Sequence, residues 1–364
     1  MQRHPTREIF WLFLTTRLLL VIITYIAYIL LTAAKYSDAP VNVTELLSTW
    51  NRWDAVNYTH IAQYGYQNAN DLAFFPLFPL LIAGGARLLG GESWTYIFVG
   101  TIISNGALLG TLLIIYRLAC DLVGDELSQR TLLYLCIFPT AFFFFAPYNE
   151  SLYILFASGS FLALHHQKWW LAGLLGMLAA LTRSVGILLI IPYIYEMWEQ
   201  RAYILTRIRT LLLSLGASLL IPLGTILYIW YNWQAFNDPL AFVHVQTPWE
   251  LFLYHSQAFG SSNQAQLLLD LTATISFIIL VIIGWRRLPK SYSIWMALFL
   301  LYILLNFAQK PDILYSDQRS VLEMFPAFIT LAIVGKRSIK FHYALLLLFP
   351  TLQAIMGITF MVNH

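Results

Sequence analysis

One carboxylate stands among tryptophans and tyrosines in the stretch WNRWDAVNYTHIAQYGY, residues 50–66. The carboxylate belongs to Asp54, and such a group can act as a general base that takes a proton from a hydroxyl. His60 lies nearly opposite Asp54 around a helix, so it would contact a substrate from another direction or simply cap an interface. Two interpretations of the stretch are open: an acid placed for chemistry, or an aromatic belt with one solvated aspartate.

The composition indicates the environment of this stretch. Hydrophobic residues make up 59% and charged residues 11% of the 364 positions, which is far from the balance of a soluble domain. The sequence therefore predicts an all-α polytopic protein of the lipid bilayer. A net charge of +3 is too small to indicate a nucleic-acid partner. Cys120 and Cys136 predict neither a disulfide nor a zinc site.

Hydropathy predicts about eleven membrane helices, several of them short. They lie at residues 9–34, 94–117, 131–147, 152–165, 169–182, 185–199, 210–232, 264–285, 291–308, 321–335 and 341–361. Most Lys and Arg residues of the connections fall on one side, which the positive-inside rule makes cytoplasmic together with the N terminus. The two longest connections, 35–93 and 233–263, are then extracytoplasmic, and the first contains Asp54.

The segment LAFFPLFPLLIAGGARLLG, residues 72–90, is apolar but interrupted by Pro76, Pro79 and the pair Gly84 and Gly85. Counting it as a full span would turn most of the positive charge outward. We therefore predict a broken, re-entrant or interfacial helix within the first extracytoplasmic loop. The whole chain, 1–364, is expected to form one integral membrane domain.

Several polar side chains lie in or beside the apolar helices. An ionisable group at membrane depth costs at least about 2.5 kcal/mol, so each is a candidate for function. For Arg17 a structural role, with a backbone carbonyl or another helix as partner, is favoured over catalysis. Asn105 and Asn306 are expected to be interhelical hydrogen-bond donors. The remaining candidates are Glu150, Arg183, Glu323, Asp317, Gln318 and Arg319.

The aromatic stretch is predicted to form an amphipathic helix along the outer membrane interface. Helical spacing gives two adjacent stripes, a face with Asp54, Asn57, Tyr58 and Ile61 and an aromatic stripe with Trp50, Trp53 and Tyr64. The rings of such a stripe are expected at headgroup depth. An acid there can meet a water-soluble acceptor and a lipid-borne donor together.

Five blocks of the chain resemble the PIG-V type GPI mannosyltransferases and their bacterial relatives. In order they are residues 50–66, AFFPLFPLL at 73–81, IFPTAFFFFAPYNESLYILFA at 137–157, ALTRSVGILL at 180–189 and SDQRSVLEMFPAF at 316–328. The WDA motif followed shortly by FFPLFP is the specific part. Two blocks depart from the family: TRSVG at 182–186 replaces the commoner ARSNG, and YNES at 148–151 replaces YSES. The first departure removes an amide and leaves the identity of the sugar open.

The resemblance implies a GT-C glycosyltransferase with many membrane helices. Its active site would face the periplasm, the cell exterior or the ER lumen. Its donor would be a polyprenyl-phosphate sugar, with mannose inherited from the family, and its acceptor a glycan or glycolipid. The acid that the family carries in the first outer loop corresponds here to Asp54. The chain is short for a eukaryotic member, which favours a bacterial homologue outside GPI-anchor synthesis.

Transfer from such a donor passes through an oxocarbenium-like state, and it needs a base for the acceptor hydroxyl and a cation for the departing phosphate. Asp54 fits the base, and a single displacement inverts the anomeric carbon. Arg319 and Arg183 fit the donor phosphate, because a guanidinium presents a fork of donors and keeps its charge. No metal or other cofactor is expected, since the donor carries one phosphate and the first outer loop has no pair of adjacent acids.

Four further residues are candidates for substrate binding: His60, Asn57, Glu150 and Gln318. For Glu150 the alternative is an acid that favours the N terminus of the next helix. Phe142 to Phe145 are expected to face lipid or the core in preference to a prenyl groove.

Two other functions compete with glycosyl transfer. A polytopic lipid or glycolipid transporter or flippase would also carry intramembrane charges and broken helices, but the internal repeat that such proteins often show is not visible here. An acyltransferase would call for an intramembrane histidine as base, whereas His165 and His166 lie at the cytoplasmic boundary. Glycosyl transfer is therefore the favoured prediction.

Overall fold

The computed structural model of the protein describes residues 5–32, 43–245, 264–309 and 317–362. Within these ranges every regular element is a helix and there is no strand, so the predicted all-α class is confirmed for this part of the chain. The chain divides into two compact units. The first comprises Met1–Gly65, Phe78–Leu155 and Leu331–His364, and the second Tyr66–Leu77 and Phe156–Thr330. The expected single domain over 1–364 stays a prediction.

The described residues form eighteen α-helices. In chain order they are α1 Pro5–Thr32, α2 Val43–Ser48, α3 Asp54–Tyr64, α4 Leu77–Leu88, α5 Ser93–Val123, α6 Asp125–Ile137, α7 Glu150–His165, α8 Trp169–Thr182, α9 Ile190–Glu199, α10 Arg201–Leu205, α11 Ile208–Ser218, α12 Leu220–Phe236, α13 Ala241–His244, α14 Gln264–Trp285, α15 Lys290–Gln309, α16 Asp317–Ser320, α17 Phe325–Arg337 and α18 Ile339–Val362. Short 3-10 helices occupy Ala69–Ala73, Ala141–Phe144, Ser184–Leu189 and Val321–Glu323.

Four segments among the described residues are long and apolar enough to cross a membrane: Pro5–Leu31, Ser93–Val123, Ile208–Phe236 and Ile339–Met361. Shorter apolar helices are Leu77–Leu88, Trp169–Thr182, Leu271–Trp285 and Lys290–Leu305. The chain is therefore an integral membrane protein by length and composition of its helices. The count of about eleven spans stays a prediction, as do the sides assigned to the loops.

The predicted span 131–147 is wrong as a single helix. Helix α6 ends at Ile137, and Phe138 has extended backbone angles, φ −55° and ψ 144°. Pro139 is the cause, because the ring of a proline disfavours helical geometry in the residue before it. The chain then turns through the 3-10 helix Ala141–Phe144 before α7 begins. Phe142 and Phe144 are buried there, which agrees with the core and not with the lipid-facing alternative of their predicted placement.

Helix α4 runs without interruption through Gly84 and Gly85, so the expected break at the glycine pair is wrong. Gly85 instead allows close packing on α5, since a Cβ there would lie 2.6 Å from Cγ1 of Val99. With 12 residues, α4 is about 18 Å long, against about 30 Å for a hydrocarbon core. This length agrees with a helix that does not span, and re-entry into the membrane stays a prediction.

Arg17 has the structural role that was expected of it. Its side chain is buried, with Nη1 donating to the carbonyl of Ala141 at 3.0 Å and Nη2 to that of Cys136 at 2.9 Å. These carbonyls lie at the end of α6 and in the turn after it, where helical partners are missing. Arg17 therefore stabilises the chain where Pro139 ends the helix.

In the second unit, α8 packs closely against α11 and α12. A Cβ on any of three glycines would collide with the facing helix, the pairs being Gly173 with Ala217, Gly176 with Ile221 and Gly224 with Met177. In each pair the residue of α11 or α12 lies 44 to 47 positions after its partner in α8. Because this offset is nearly constant, α8 and the segment formed by α11 and α12 run parallel to each other.

Candidate functional site

Asp54 is the first residue of α3, which confirms that the aromatic stretch contains a helix. The residue before it, Trp53, has φ 52°, a left-handed conformation that bulky side chains rarely adopt. Such strain costs about 1–3 kcal/mol and persists only where the surroundings impose it, most often at functional sites. The turn therefore fixes the backbone position of Asp54 at the start of α3.

Two hydrogen bonds from side chains of the first unit hold the residues before Asp54 in place. The hydroxyl of Tyr148 donates to the carbonyl of Arg52 at 2.9 Å. The hydroxyl of Thr59 donates to Oδ1 of Asn51 at 3.2 Å. Tyr148 belongs to the YNES block at 148–151, so this block stabilises the turn that precedes Asp54.

Trp50 does not belong to the aromatic stripe expected at the interface. It is fully buried, with its ring 4.8 Å from that of Phe145 and 6.0 Å from that of Phe360 between centroids. Trp53 and Tyr64 are 59% and 58% exposed, as rings at a membrane interface would be. The spacing argument failed for Trp50 because it assumed a helix through residue 50, whereas the turn at Trp53 redirects the chain.

The predicted polar face of α3 is divided between the surface and the core. Asp54 is partly exposed and Asn57 and His60 are exposed, while Tyr58 and Ile61 are buried. The ring of His60 lies 5.0 Å from that of Tyr64 between centroids. Three of the predicted site residues thus reach the surface of one helix: Asp54, Asn57 and His60.

The first outer loop contains several further acids, and one of them, Asp71, has a structural role. Its side chain is buried, and Oδ2 accepts hydrogen bonds from the backbone N–H groups of Gln67 at 2.7 Å and Asn68 at 3.1 Å. The bonds close a capping box at the 3-10 helix Ala69–Ala73. Asp71 therefore orders the loop, and it is buried whereas Asp54 is partly exposed.

Tyr66 and Tyr228 hold the segment that carries the FFP sequence. The hydroxyl of Tyr66 donates to the carbonyl of Phe74 at 2.7 Å, and the hydroxyl of Tyr228 donates to the carbonyls of Leu72 at 2.9 Å and Phe74 at 3.2 Å. Burial, followed by the neighbouring Tyr228, raises the pKa of Tyr66. The phenol therefore stays a neutral donor at physiological pH.

Glu150 begins α7 and is completely buried in the first unit. Its neighbours in the YNES block are fixed to α5: the hydroxyl of Ser104 donates to the carbonyl of Tyr148 at 2.7 Å, and that of Thr111 to the carbonyl of Ser151 at 3.3 Å. Asn105 reaches the turn before this block, because its Nδ2 donates to the carbonyl of Phe145 at 3.0 Å. Asn105 is thus a hydrogen-bond donor as predicted, although its acceptor lies in a turn and not in another helix. Glu150 as a substrate contact stays a prediction.

Arg183 forms a buried ion pair with Glu323 in the second unit. The distance from Nη1 to Oε1 is 2.7 Å, with side chains 16% and 0% exposed. Arg183 lies between α8 and the 3-10 helix Ser184–Leu189, in extended conformation. Glu323 ends the 3-10 helix Val321–Glu323. One edge of the guanidinium is thus occupied by a carboxylate, and the group retains some exposure through which a further anion can approach.

The sequence singled out Glu323 as an intramembrane acid but did not pair it with Arg183. Its place in the block SDQRSVLEMFPAF was the available signal. Arg319 is partly buried in α16, in the same block. Gln318 belongs to α16 as well, and its side chain lies outside the described part of the chain, as does that of Asn306. Within the described residues no cluster of three His, Cys, Asp or Glu side chains could hold a metal ion.

Residues 7–238 match the family model described as Mannosyltransferase (PIG-V). The rat protein named GPI alpha-1,6-mannosyltransferase 2 is 30% identical over 152 residues, covering 40% of this chain and 31% of the rat protein. GPI mannosyltransferase 2 of Cryptococcus neoformans is 33% identical over 144 residues, covering 37% of this chain and 34% of the fungal protein. The match thus spans about a third of the length of these curated relatives.

Two solved structures show a low similarity to this chain. The Archaeoglobus fulgidus oligosaccharyltransferase AglB, in complex with an inhibitory peptide and a dolichol-phosphate, has a TM-score of 0.46 at 10% identity and covers 95% of this chain and 56% of AglB. ArnT from Cupriavidus metallidurans, bound to undecaprenyl phosphate, has a TM-score of 0.35 at 11% identity and covers 94% and 77% of the two chains. Both scores are low, and the family assignment rests on the sequence match alone.

Proposed function

Because this chain belongs to the PIG-V mannosyltransferase family, we propose that it is an inverting GT-C glycosyltransferase. It moves a sugar, mannose by inheritance from the family, from a polyprenyl-phosphate donor to a lipid-linked or cell-envelope glycan on the extracytoplasmic face. The observation that carries this proposal is the family match over residues 7–238, which includes Asp54 and Arg183.

Asp54 acts as the general base. As the acceptor oxygen attacks the anomeric carbon, the Asp54 carboxylate takes the proton of that hydroxyl, and the bond from carbon to phosphate oxygen breaks with its electron pair on the phosphate. Its partial exposure and its fixed position after the strained Trp53 support this role. Asp71, another acid of this loop, is engaged with backbone N–H groups.

Arg183 and Arg319 stabilise the departing phosphate. A guanidinium cannot lose its proton and offers several N–H donors, so it can bind Glu323 at one edge and phosphate oxygens at another. The partial exposure of Arg183 supports this arrangement. His60, Asn57, Glu150 and Gln318 are proposed as substrate contacts. No step of this chemistry requires a metal, since the positive charge comes from arginine.

The test is transfer of radiolabelled mannose from polyprenyl-phosphate-mannose to a lipid-linked oligosaccharide extract by the purified protein. Asp54→Asn should lower the rate about a hundred-fold or more, the range over which general bases contribute. Glu92→Gln is the matched control, because Glu92 is an exposed acid of the same loop whose carboxylate accepts from Trp94 at 2.6 Å. Full activity in Asp54→Asn would remove this residue as the base.

A further inference from the structure

We propose that Asn232 binds hydroxyl groups of the donor sugar, an inference that rests on the proposed function. Asn232 lies near the end of α12 and is completely enclosed. Within the described part of the chain, neither Oδ1 nor Nδ2 of this side chain has a hydrogen-bond partner. Enclosing an amide without partners is costly. A side chain kept in this condition is well suited to a bound molecule that supplies both a donor and an acceptor.

The offset in residue number between facing positions of α8 and α12 gives the approximate position of Asn232 relative to Arg183. Facing residues of the two segments differ by 44 to 47 positions, and extending this offset by one residue past the end of α8 puts the backbone of Arg183 at about the level of Tyr228. Asn232 is four residues further along α12, which is about 6 Å at the rise of an α-helix. Tyr228 and Asn232 both belong to the buried face of this helix. The amide is therefore about one turn beyond the backbone of Arg183, toward the end of α12.

This separation matches the layout of a polyprenyl-phosphate sugar. The prenyl chain lies in the membrane, the phosphate follows, and the sugar is the next group outward. If Arg183 binds the phosphate, the sugar lies about one helical turn further along α12 toward its C terminus, where Asn232 is. A carboxamide offers two donors and one acceptor oxygen, and a sugar hydroxyl is both donor and acceptor. The two groups can satisfy each other.

Tyr228, one turn before Asn232 on the buried face of α12, is held in place by hydrogen bonds and aromatic contacts. Tyr228 is fixed by its bonds to the carbonyls of Leu72 and Phe74. Its ring lies 4.7 Å from that of Phe75 and 5.9 Å from that of Phe242 between centroids. Asn232 itself is completely buried, so bulk water is kept away from the amide. A hydrogen bond made by Asn232 to a sugar is thus stronger than the same bond in water.

Thr225 provides the matched comparison on the same helix face. Its hydroxyl is also buried and has no partner among the described residues. The neighbouring Gly224 lies where α12 touches the backbone of α8, since a Cβ there would be 2.6 Å from the carbonyl oxygen of Met177. The backbones of the two helices are thus in close contact at the residue next to Thr225. Thr225 therefore lies outside the proposed sugar site.

The experiment compares two lipids, polyprenyl-phosphate-mannose and polyprenyl phosphate, in binding to the purified protein in detergent micelles. Wild-type protein should prefer the sugar-bearing lipid. Asn232→Leu should lose most of this preference and lower kcat/KM for the donor about ten- to a hundred-fold, while its melting temperature stays equal or rises. Thr225→Val should change neither the preference nor kcat/KM.

An Asn232→Leu variant with unchanged lipid preference and kcat/KM would overturn the inference and leave the proposed function standing. The same holds for a variant that loses melting temperature without losing the preference, because Asn232 would then be a structural residue that holds water. Wild-type protein that binds neither lipid would overturn the proposed function and the sugar site together.

Discussion

The ion pair between Arg183 and Glu323 allows the roles of stability and function to be separated by mutation. Three variants are needed: Arg183→Met, Glu323→Met and the double variant. Each single change removes one charge and leaves the other in place, whereas the double change replaces the pair by two apolar side chains of similar length. The pair is well placed for this test because Glu323 is completely enclosed.

Removing one partner of a buried ion pair costs about 3–5 kcal/mol, while replacing the whole pair by apolar groups is often neutral or stabilising. The two single variants should differ. Arg183→Met leaves a carboxylate that is 0% exposed, and Glu323→Met leaves a guanidinium that is 16% exposed. We therefore expect the larger loss, near the upper end of the range, for Arg183→Met. The double variant should recover most of it.

Equilibrium unfolding in mixed micelles of detergent and SDS measures these differences, and binding of polyprenyl phosphate measures function in parallel. Arg183→Met and the double variant should both bind the lipid phosphate weakly, although only the first is destabilised. Additive effects of the two single changes on the free energy of unfolding would refute the coupling. Normal lipid-phosphate binding by the double variant would refute the phosphate role of Arg183.

Two further predictions follow from hydrogen bonding and close packing. Tyr148→Phe removes the bond to the carbonyl of Arg52 and should lower kcat about three- to ten-fold with little change in KM, measured by sugar transfer. Tyr193→Phe, which deletes a hydroxyl bonded to backbone carbonyls of the second unit, should leave kcat unchanged, and equal losses in both variants would contradict a positioning role. Gly186→Ala should destabilise by about 1–3 kcal/mol, because its Cβ would lie 2.5 Å from backbone atoms of α8. Gly216→Ala, with open space around the new Cβ, should be neutral or stabilising by up to about 1 kcal/mol in the same unfolding assay, and similar effects of both substitutions would contradict the packing explanation.

Much of the architecture could be predicted from composition and hydropathy, because these follow from the requirement that a chain in lipid satisfies its own backbone. The structural role of Arg17 was predictable for the same reason, since a buried guanidinium needs acceptors. The residue at which α6 ends could also have been predicted from the sequence. Pro139 stands in the predicted span 131–147, and weighing its effect on Phe138 would have shortened that helix.

Other features depend on contacts that no local pattern contains. Arg183 and Glu323 are far apart in sequence, so their ion pair appears only when α8 and the 3-10 helix Val321–Glu323 are both placed. The burial of Trp50 depends on the turn at Trp53, and a positive φ at a tryptophan is not something that residue type predicts. The enclosure of Asn232 likewise results from packing of helices, because an asparagine in an apolar segment is compatible with many partners.

The two ends of α3 have a consequence for how this protein can vary. Trp53 before the helix has φ 52° and Gly65 after it has φ 79°, so the helix can extend in neither direction without a change of handedness. One residue inserted within it would rotate the acid by about 100° relative to the buried side chains beyond the insertion. Substitutions at exposed positions of α3 other than Asp54, Asn57 and His60 should therefore be tolerated by natural variation, whereas insertions and deletions between residues 54 and 64 should be eliminated.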